Sequence, residues 1–133
     1  MAMIDADRAT ALVGTPFRAQ GRGPAGLDCV GLVLAACDLP QGMARDDYRL
    51  RGDHRGEIIG ALAARFRKVS QARRRAGDLL LMAVADDQLH LGVLTARGFV
   101  HADARLGQVV ETPGTPRWPV VAIYRRRTRR VGK

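Results

Sequence analysis

Aromatic side chains make up only 5% of the 133 residues, and the single tryptophan, two tyrosines and three phenylalanines are scattered along the chain. A dedicated nucleic-acid reader couples basic charge to exposed aromatics or a reading helix, so this scarcity argues against a specific nucleic-acid partner. Long apolar runs are also missing. The longest, over 30–37, falls far short of the ~20 residues of a membrane span and fits a buried helix instead. No secretory signal is legible in 1–13, which carries Asp5 and Asp7 and lacks a basic start, an unbroken apolar stretch and a small-residue cleavage site. The expectation is a chain made in the cytoplasm, or exported by a route not written in this stretch. Cysteine is limited to Cys29 and Cys37, in one predicted helix and ~12 Å apart along its axis, too far for a disulfide.

Acidic residues are the other deficit. Thirteen Asp and Glu face 22 Lys and Arg, leaving a net charge of +9. Such an excess favours contact with anionic polymers without naming one. Arginines cluster at Arg73, Arg74 and Arg75 and again at Arg125, Arg126 and Arg127 with Arg129 and Arg130. The length fits one domain over 1–133, with a basic tail from about 126. No internal repeat is visible.

Helical periodicity marks 2–13 as a first helix, closed by Gly14 and Pro16. A glycine-rich loop over 17–27 leads into a helix that begins at Asp28 or Cys29 and ends by Cys37, ahead of Pro40. This helix is apolar on nearly all sides and so belongs at the centre. Cys37 reads as core filling. After a polar stretch over 41–56, Ile58, Ile59, Leu62, Phe66 and Val69 fall at helical spacing and predict a third, amphipathic helix over 57–69. From Gly77 the period changes. The runs 78–84, 89–95, 98–103, 107–112 and 120–125 are short, aliphatic and separated by Gly, Asp and Pro, as antiparallel strands with short connections are. Helices followed by a meandering sheet give an α+β fold, with the cysteine helix packed on five or six antiparallel strands.

A thiol at the first turn of a helix meets unpaired N–H groups and the positive end of the dipole, which favour its ionised form. Cys29 is therefore a candidate nucleophile, against the plain alternative of a small buried hydrophobe. Of the three histidines, His54 lies in a loop context and reads as solvated surface, while His90 and His101 lie on consecutive predicted strands. A two-residue turn at Ala96 and Arg97 would pair Thr95 with Gly98 and Gly92 with His101, setting His90 and His101 diagonally on one face; an odd-length turn would separate them. One imidazole can then orient the other, as a thiol–imidazole pair requires of its third member. Cys29, His90 and His101 could also supply three zinc ligands, but none of the close-paired spacings common in zinc sites is present. No metal or cofactor is expected.

The runs Gly14-Thr15-Pro16-Phe17, Leu27-Asp28-Cys29-Val30-Gly31-Leu32, Ala76-Gly77-Asp78-Leu79-Leu80-Leu81, His90-Leu91-Gly92-Val93 and Phe99-Val100-His101-Ala102 together resemble the NlpC-type cell-wall peptidases, a branch of the papain-like cysteine peptidases. The form of the cysteine motif is similar to versions found among the tail genes of phages and gene-transfer agents. The resemblance implies Cys29 as nucleophile, His90 as general base and then acid, and His101 as the residue orienting His90. It further implies a peptidoglycan stem peptide as substrate, cut between D-glutamate and diaminopimelate, with phage-tail or gene-transfer-agent proteins as partners. Phe17, Arg18, Gln20 and Asp28 are the expected substrate-side residues, Phe17 standing where many relatives carry tyrosine and Gln20 offering a donor near the oxyanion. Asp28 is expected to cap the helix, and Arg18, Arg22 or Arg105 to meet stem carboxylates. Two other readings use the same fold: a structural particle-assembly protein, and a cytoplasmic amidase or acyltransferase acting on another substrate.

Overall fold

A computed structural model describes residues 5–18, 22–23, 26–37, 64–85 and 88–127. Helix α1, Asp5–Ala11, carries Asp5 and Asp7 in its first turn, where the helix dipole favours carboxylates. It tightens at its end through i→i−3 bonds from Leu12 N–H to Ala9 O (3.0 Å) and Val13 N–H to Thr10 O (3.2 Å). Gly14, at φ 97°, then turns the chain. Residues 14–17 run beside the last half of the sheet, with Gly14 N–H on Val109 O and Phe17 N–H on Gly107 O, both at 2.9 Å.

The glycine-rich loop holds two very short strands, β1 (Arg22–Gly23) and β2 (Gly26–Leu27), paired antiparallel. Helix α2, Cys29–Ala36, follows. Asp28 caps it as the sequence predicts, accepting the Gly31 N–H at 2.8 Å through Oδ1. Seven of its eight residues are buried, because both flanks of the helix meet core rather than solvent.

Six further strands form one antiparallel sheet: β3 Phe66–Val69, β4 Leu79–Ala85, β5 Gln88–Leu94, β6 Gly98–Asp103, β7 Gln108–Pro113 and β8 Val120–Arg126, in the spatial order β3-β8-β4-β5-β6-β7. Their side chains alternate between two apolar clusters. Leu79, Leu81, Leu89, Leu91, Val93, Val100, Ala102, Val109 and Tyr124 join α2 in the main core. Leu80, Met82, Phe99 and Ile123 form a second cluster, with Val69, Leu94, Trp118 and Val120 packed against it. Both faces of the central strands are thus apolar, which is why β4 reads as an unbroken aliphatic run rather than an alternation. No helix among the described residues is long and apolar enough to cross a membrane.

The predicted helix over 57–69 is corrected at its C-terminal end. Phe66–Val69 is an edge strand whose register runs Phe66↔Arg126 to Val69↔Ile123. Phe66 enters the main core while Val69 packs on the second cluster. A spacing of three puts residues on one side of a helix but on opposite sides of a strand, and here each side has an apolar surface to meet. Residues 57–63, like His54 and the stretch 41–56, lie outside the described residues.

Arg125 and Arg126, the described side chains that open the second arginine cluster, are held in ion pairs. Arg125 grips the buried Asp78 with two parallel bonds, Nε to Oδ1 at 2.8 Å and Nη2 to Oδ2 at 2.9 Å, and also donates to Arg73 O at 2.9 Å. Asp78 Oδ2 takes the Arg75 backbone N–H as well. Together these contacts fasten the turn before β4 onto β8. Arg126 reaches Asp5 at 3.3 Å and ties β8 to α1. Arg126 therefore ends β8 rather than beginning a tail, and the Arg127 N–H still bonds to Arg65 O at 3.1 Å.

Candidate active site

The β5–β6 hairpin sets the position of both strand histidines. Val93 pairs with Val100 and Leu94 with Phe99, and the Thr95 N–H closes on Gly98 O at 2.9 Å around the turn residues Ala96 and Arg97. Of the two registers that the sequence leaves open, this is the even one. Thr95 Oγ1 accepts the Gly98 N–H at 3.0 Å and donates to Glu111 at 2.7 Å, while Arg97 pairs with the same carboxylate at 2.9 Å. The turn is thereby tied to β7. Gly92 leaves room for the Phe99 ring, since a Cβ there would come within 3.2 Å of it.

Continuing the register places His90 diagonal to His101 on the face that carries Met82 and Phe99. Their rings meet edge to face with centroids 5.1 Å apart, and His90 Nε2 lies 3.0 Å from His101 Nδ1. The far nitrogen of His101, Nε2, lies 3.1 Å from Thr112 Oγ1 on β7. Phe99 stacks on His101 at 4.8 Å, and Trp118 sets its ring against both histidines at 5.7 and 5.8 Å. The Arg117 guanidinium lies 5.0 Å over the Trp118 ring, an arrangement that a cation and an aromatic face favour. The pair is thus enclosed by aromatic surface.

Enclosure sets the protonation. Burial pushes the His90 imidazole down to about 4, helped by the neighbouring His101 and opposed by Asp103. His101 is also lowered, by burial first, with Asp103 opposing and Arg117 adding to the fall. Both rings are neutral near neutral pH, so each holds one N–H and one lone pair.

Cys29 begins α2, is 4% exposed, and belongs to the core cluster that α2 forms with β5 and β6. The helix that carries the candidate nucleophile therefore packs on the two strands that carry the histidines. The other cysteine has a different environment. Cys37 is fully buried at the end of α2, and its thiol is pushed up to about 12 by burial, then by the charge of Asp5, with which it shares a hydrogen bond.

The remaining sequence candidates fall into different places. Phe17 is half-buried, packs on the main core and forms an isolated bridge with Leu27, so it anchors the loop before α2. Arg18 is exposed, and its backbone N–H bonds to Leu27 O at 3.2 Å. Asp28 turns its carboxylate into the helix it caps. Arg105 is exposed in the turn between β6 and β7. Gln20 and the Arg22 side chain lie outside the described residues. Sequence reasoning missed Thr112, Phe99, Trp118 and Arg117 around the histidines. The one signal for Thr112 was the β6–β7 register, which places it opposite Phe99. Among the described residues no group of three or more His, Cys, Asp or Glu is arranged to hold a metal ion.

Comparisons with known proteins accord with this architecture. The chain is similar to the structure of NlpC1 from Trichomonas vaginalis, with a TM-score of 0.65 and 18% identity over 94% of this chain and 44% of that one. It thus spans less than half the length of that protein. It is also similar to the NlpC/p60 domain of the peptidoglycan hydrolase SagA, with a TM-score of 0.58 and 22% identity over 82% of this chain and 86% of that one. At such identities these two likenesses are likenesses of fold. No curated protein matches the chain. Residues 14–124, which include Cys29, both strand histidines and Thr112, match the NlpC/P60 family, and the chain belongs to it.

Proposed function

We propose that the protein is a cysteine peptidase that hydrolyses an amide bond in peptidoglycan stem peptides, with Cys29 as nucleophile, His90 as general base and acid, and His101 orienting His90. The observation that carries this reading is the 3.0 Å contact between His90 Nε2 and His101 Nδ1 on the strands against which the Cys29 helix packs. That contact occupies one nitrogen of His90, so Nδ1 is the nitrogen that remains to take a proton.

A neutral His90 accepts the Cys29 proton on Nδ1, and the thiolate attacks the amide carbonyl. The backbone N–H of Cys29, at the first turn of α2, donates to the developing oxyanion, an interaction worth about 3 kcal/mol in comparable sites. His90 then gives its proton to the leaving amine as the C–N bond breaks. In the second half, His90 takes a proton from water, hydroxide attacks the thioester, and the carboxylic acid leaves with the thiol restored. The low pKa of His90 keeps the ring unprotonated at rest and makes it a weak base on its own, and a thiolate beside it would supply the negative charge that stabilises the imidazolium during turnover.

The bond between D-glutamate and diaminopimelate is the target that the family resemblance favours. Phe17 and Arg18 stand at the start of the loop that would border the substrate, Gln20 follows them in the sequence, and Asp28 acts through the cap that fixes the Cys29 end of α2. Delivery with a phage-like or gene-transfer particle follows from the form of the cysteine motif, and its partners would be the tail proteins of that particle.

Incubation of purified protein with muropeptides, followed by mass spectrometry, tests the reading. Wild type should release stem-peptide fragments, and Cys29→Ala should lower the rate by at least ~1,000-fold. Intact muropeptides with both proteins, together with a Cys29 that iodoacetamide does not label at neutral pH, would overturn it.

A further inference from the structure

We propose that Thr112 is a positioning residue: its hydroxyl accepts the Nε2–H of His101 and so holds His90 in the tautomer whose Nδ1 is free to take a proton. The catalytic meaning of this inference rests on the function proposed above, whereas the tautomer itself is a property of the resting protein.

The contact between His90 Nε2 and His101 Nδ1 can be satisfied in two ways. If His101 donates, the only proton of His90 sits on Nδ1 and no base is presented there. If His90 donates, its Nδ1 carries a lone pair, and the single proton of His101 must be on Nε2. That proton then needs an acceptor of its own. Thr112 Oγ1, at 3.1 Å, is the acceptor in place. Water is a poor substitute, because His101 is 2% exposed, stacked on Phe99 and flanked by Trp118.

Turnover makes the direction stricter. Once His90 is protonated both of its nitrogens carry hydrogen, so Nε2 can only donate and His101 can only pass its own proton outward to Thr112. The hydrogen-bond chain from His90 through His101 to Thr112 is thus the one arrangement compatible with both the neutral and the charged base. The β6–β7 register supplies the geometry. His101 faces Val110 and Phe99 faces Thr112, so the threonine lies diagonally across from His101 on the same side of the sheet.

The test uses full-length protein labelled with ¹⁵N at histidine, whose long-range ¹H–¹⁵N spectra near neutral pH report which nitrogen holds each proton. Wild type and Thr112→Ser should show His90 and His101 both protonated on Nε2. Thr112→Val keeps the side-chain shape without the hydroxyl, and should shift both rings toward Nδ1–H while lowering kcat roughly 10- to 100-fold at little change in KM. Thr112→Ser should restore kcat. A wild-type His101 protonated on Nδ1 overturns the proposal without any variant, as does a Thr112→Val protein with wild-type tautomers or kcat. If wild type cuts no muropeptide but shows the Nε2–H pair, and Thr112→Val loses it, the peptidase reading fails and the positioning of the pair by Thr112 stands.

Discussion

Acid should destabilise this protein through His90. In the folded chain its imidazole is held at about 4, against an ordinary 6.5, chiefly because the ring is buried and secondarily because His101 lies beside it. The unfolded chain exposes the ring and restores the ordinary value. Between those two pH values the unfolded state binds a proton that the folded state refuses, so stability rises with pH across this window. The contribution is fully present above the unfolded value and is lost as pH falls toward the folded one. A gap from 6.5 to about 4, at ~1.4 kcal/mol for each pH unit, corresponds to a total loss of about 3 kcal/mol. Urea unfolding at about pH 7 and about pH 4.5 should therefore show wild type losing about 2 kcal/mol more than His90→Gln, because the carboxylates titrate alike in both proteins and cancel. Equal losses in the two proteins would refute the reasoning, as would a His90 ring that titrates near its ordinary value by NMR.

Removing the helix cap with Asp28→Ala should cost about 1 kcal/mol in urea unfolding, while Asp28→Asn, which keeps an acceptor for the Gly31 N–H, should cost much less. Iodoacetamide near neutral pH should leave Cys37 unmodified in the native protein, since its thiol is buried and held at about 12; labelling of Cys37 at the rate of a free thiol would contradict the contact with Asp5. Gly98→Ala should disrupt the hairpin, because a Cβ there would collide with the backbone of Thr112, Pro113 and Gly114. A thermal melt or backbone NMR spectrum close to wild type would count against the observed β6–β7 pairing.

Helix α2 and strands β4 to β8 were legible in the sequence because their signals are local. Asp28 supplies a side-chain acceptor three residues before Gly31, and the aliphatic runs end at glycines and prolines that cannot continue them. The meeting of His90 with His101 was legible only as one of two outcomes, since turn length sets the register of everything that follows on the two strands, and the structure shows the two-residue turn. The edge strand β3 was not, because Phe66 and Val69 satisfy a helical period as well as a two-faced strand, and the choice belongs to β8, which offers its ladder from the far end of the chain.

The charge of the C-terminal arginines was visible in the sequence, but their use was decided by partners 47 residues away at Asp78 and 121 residues away at Asp5. The same division runs through the candidate site. The sequence alone determined the residue types and the local geometry: a thiol at a helix start and two imidazoles across a tight hairpin. Only the tertiary structure decided what surrounds them, bringing Thr112 from β7 and Trp118 from the approach to β8 onto the histidines, burying His101, covering much of His90 and lowering the basicity of both. No local pattern encodes such an enclosure, because burial and hydrogen-bond direction depend on how distant strands align.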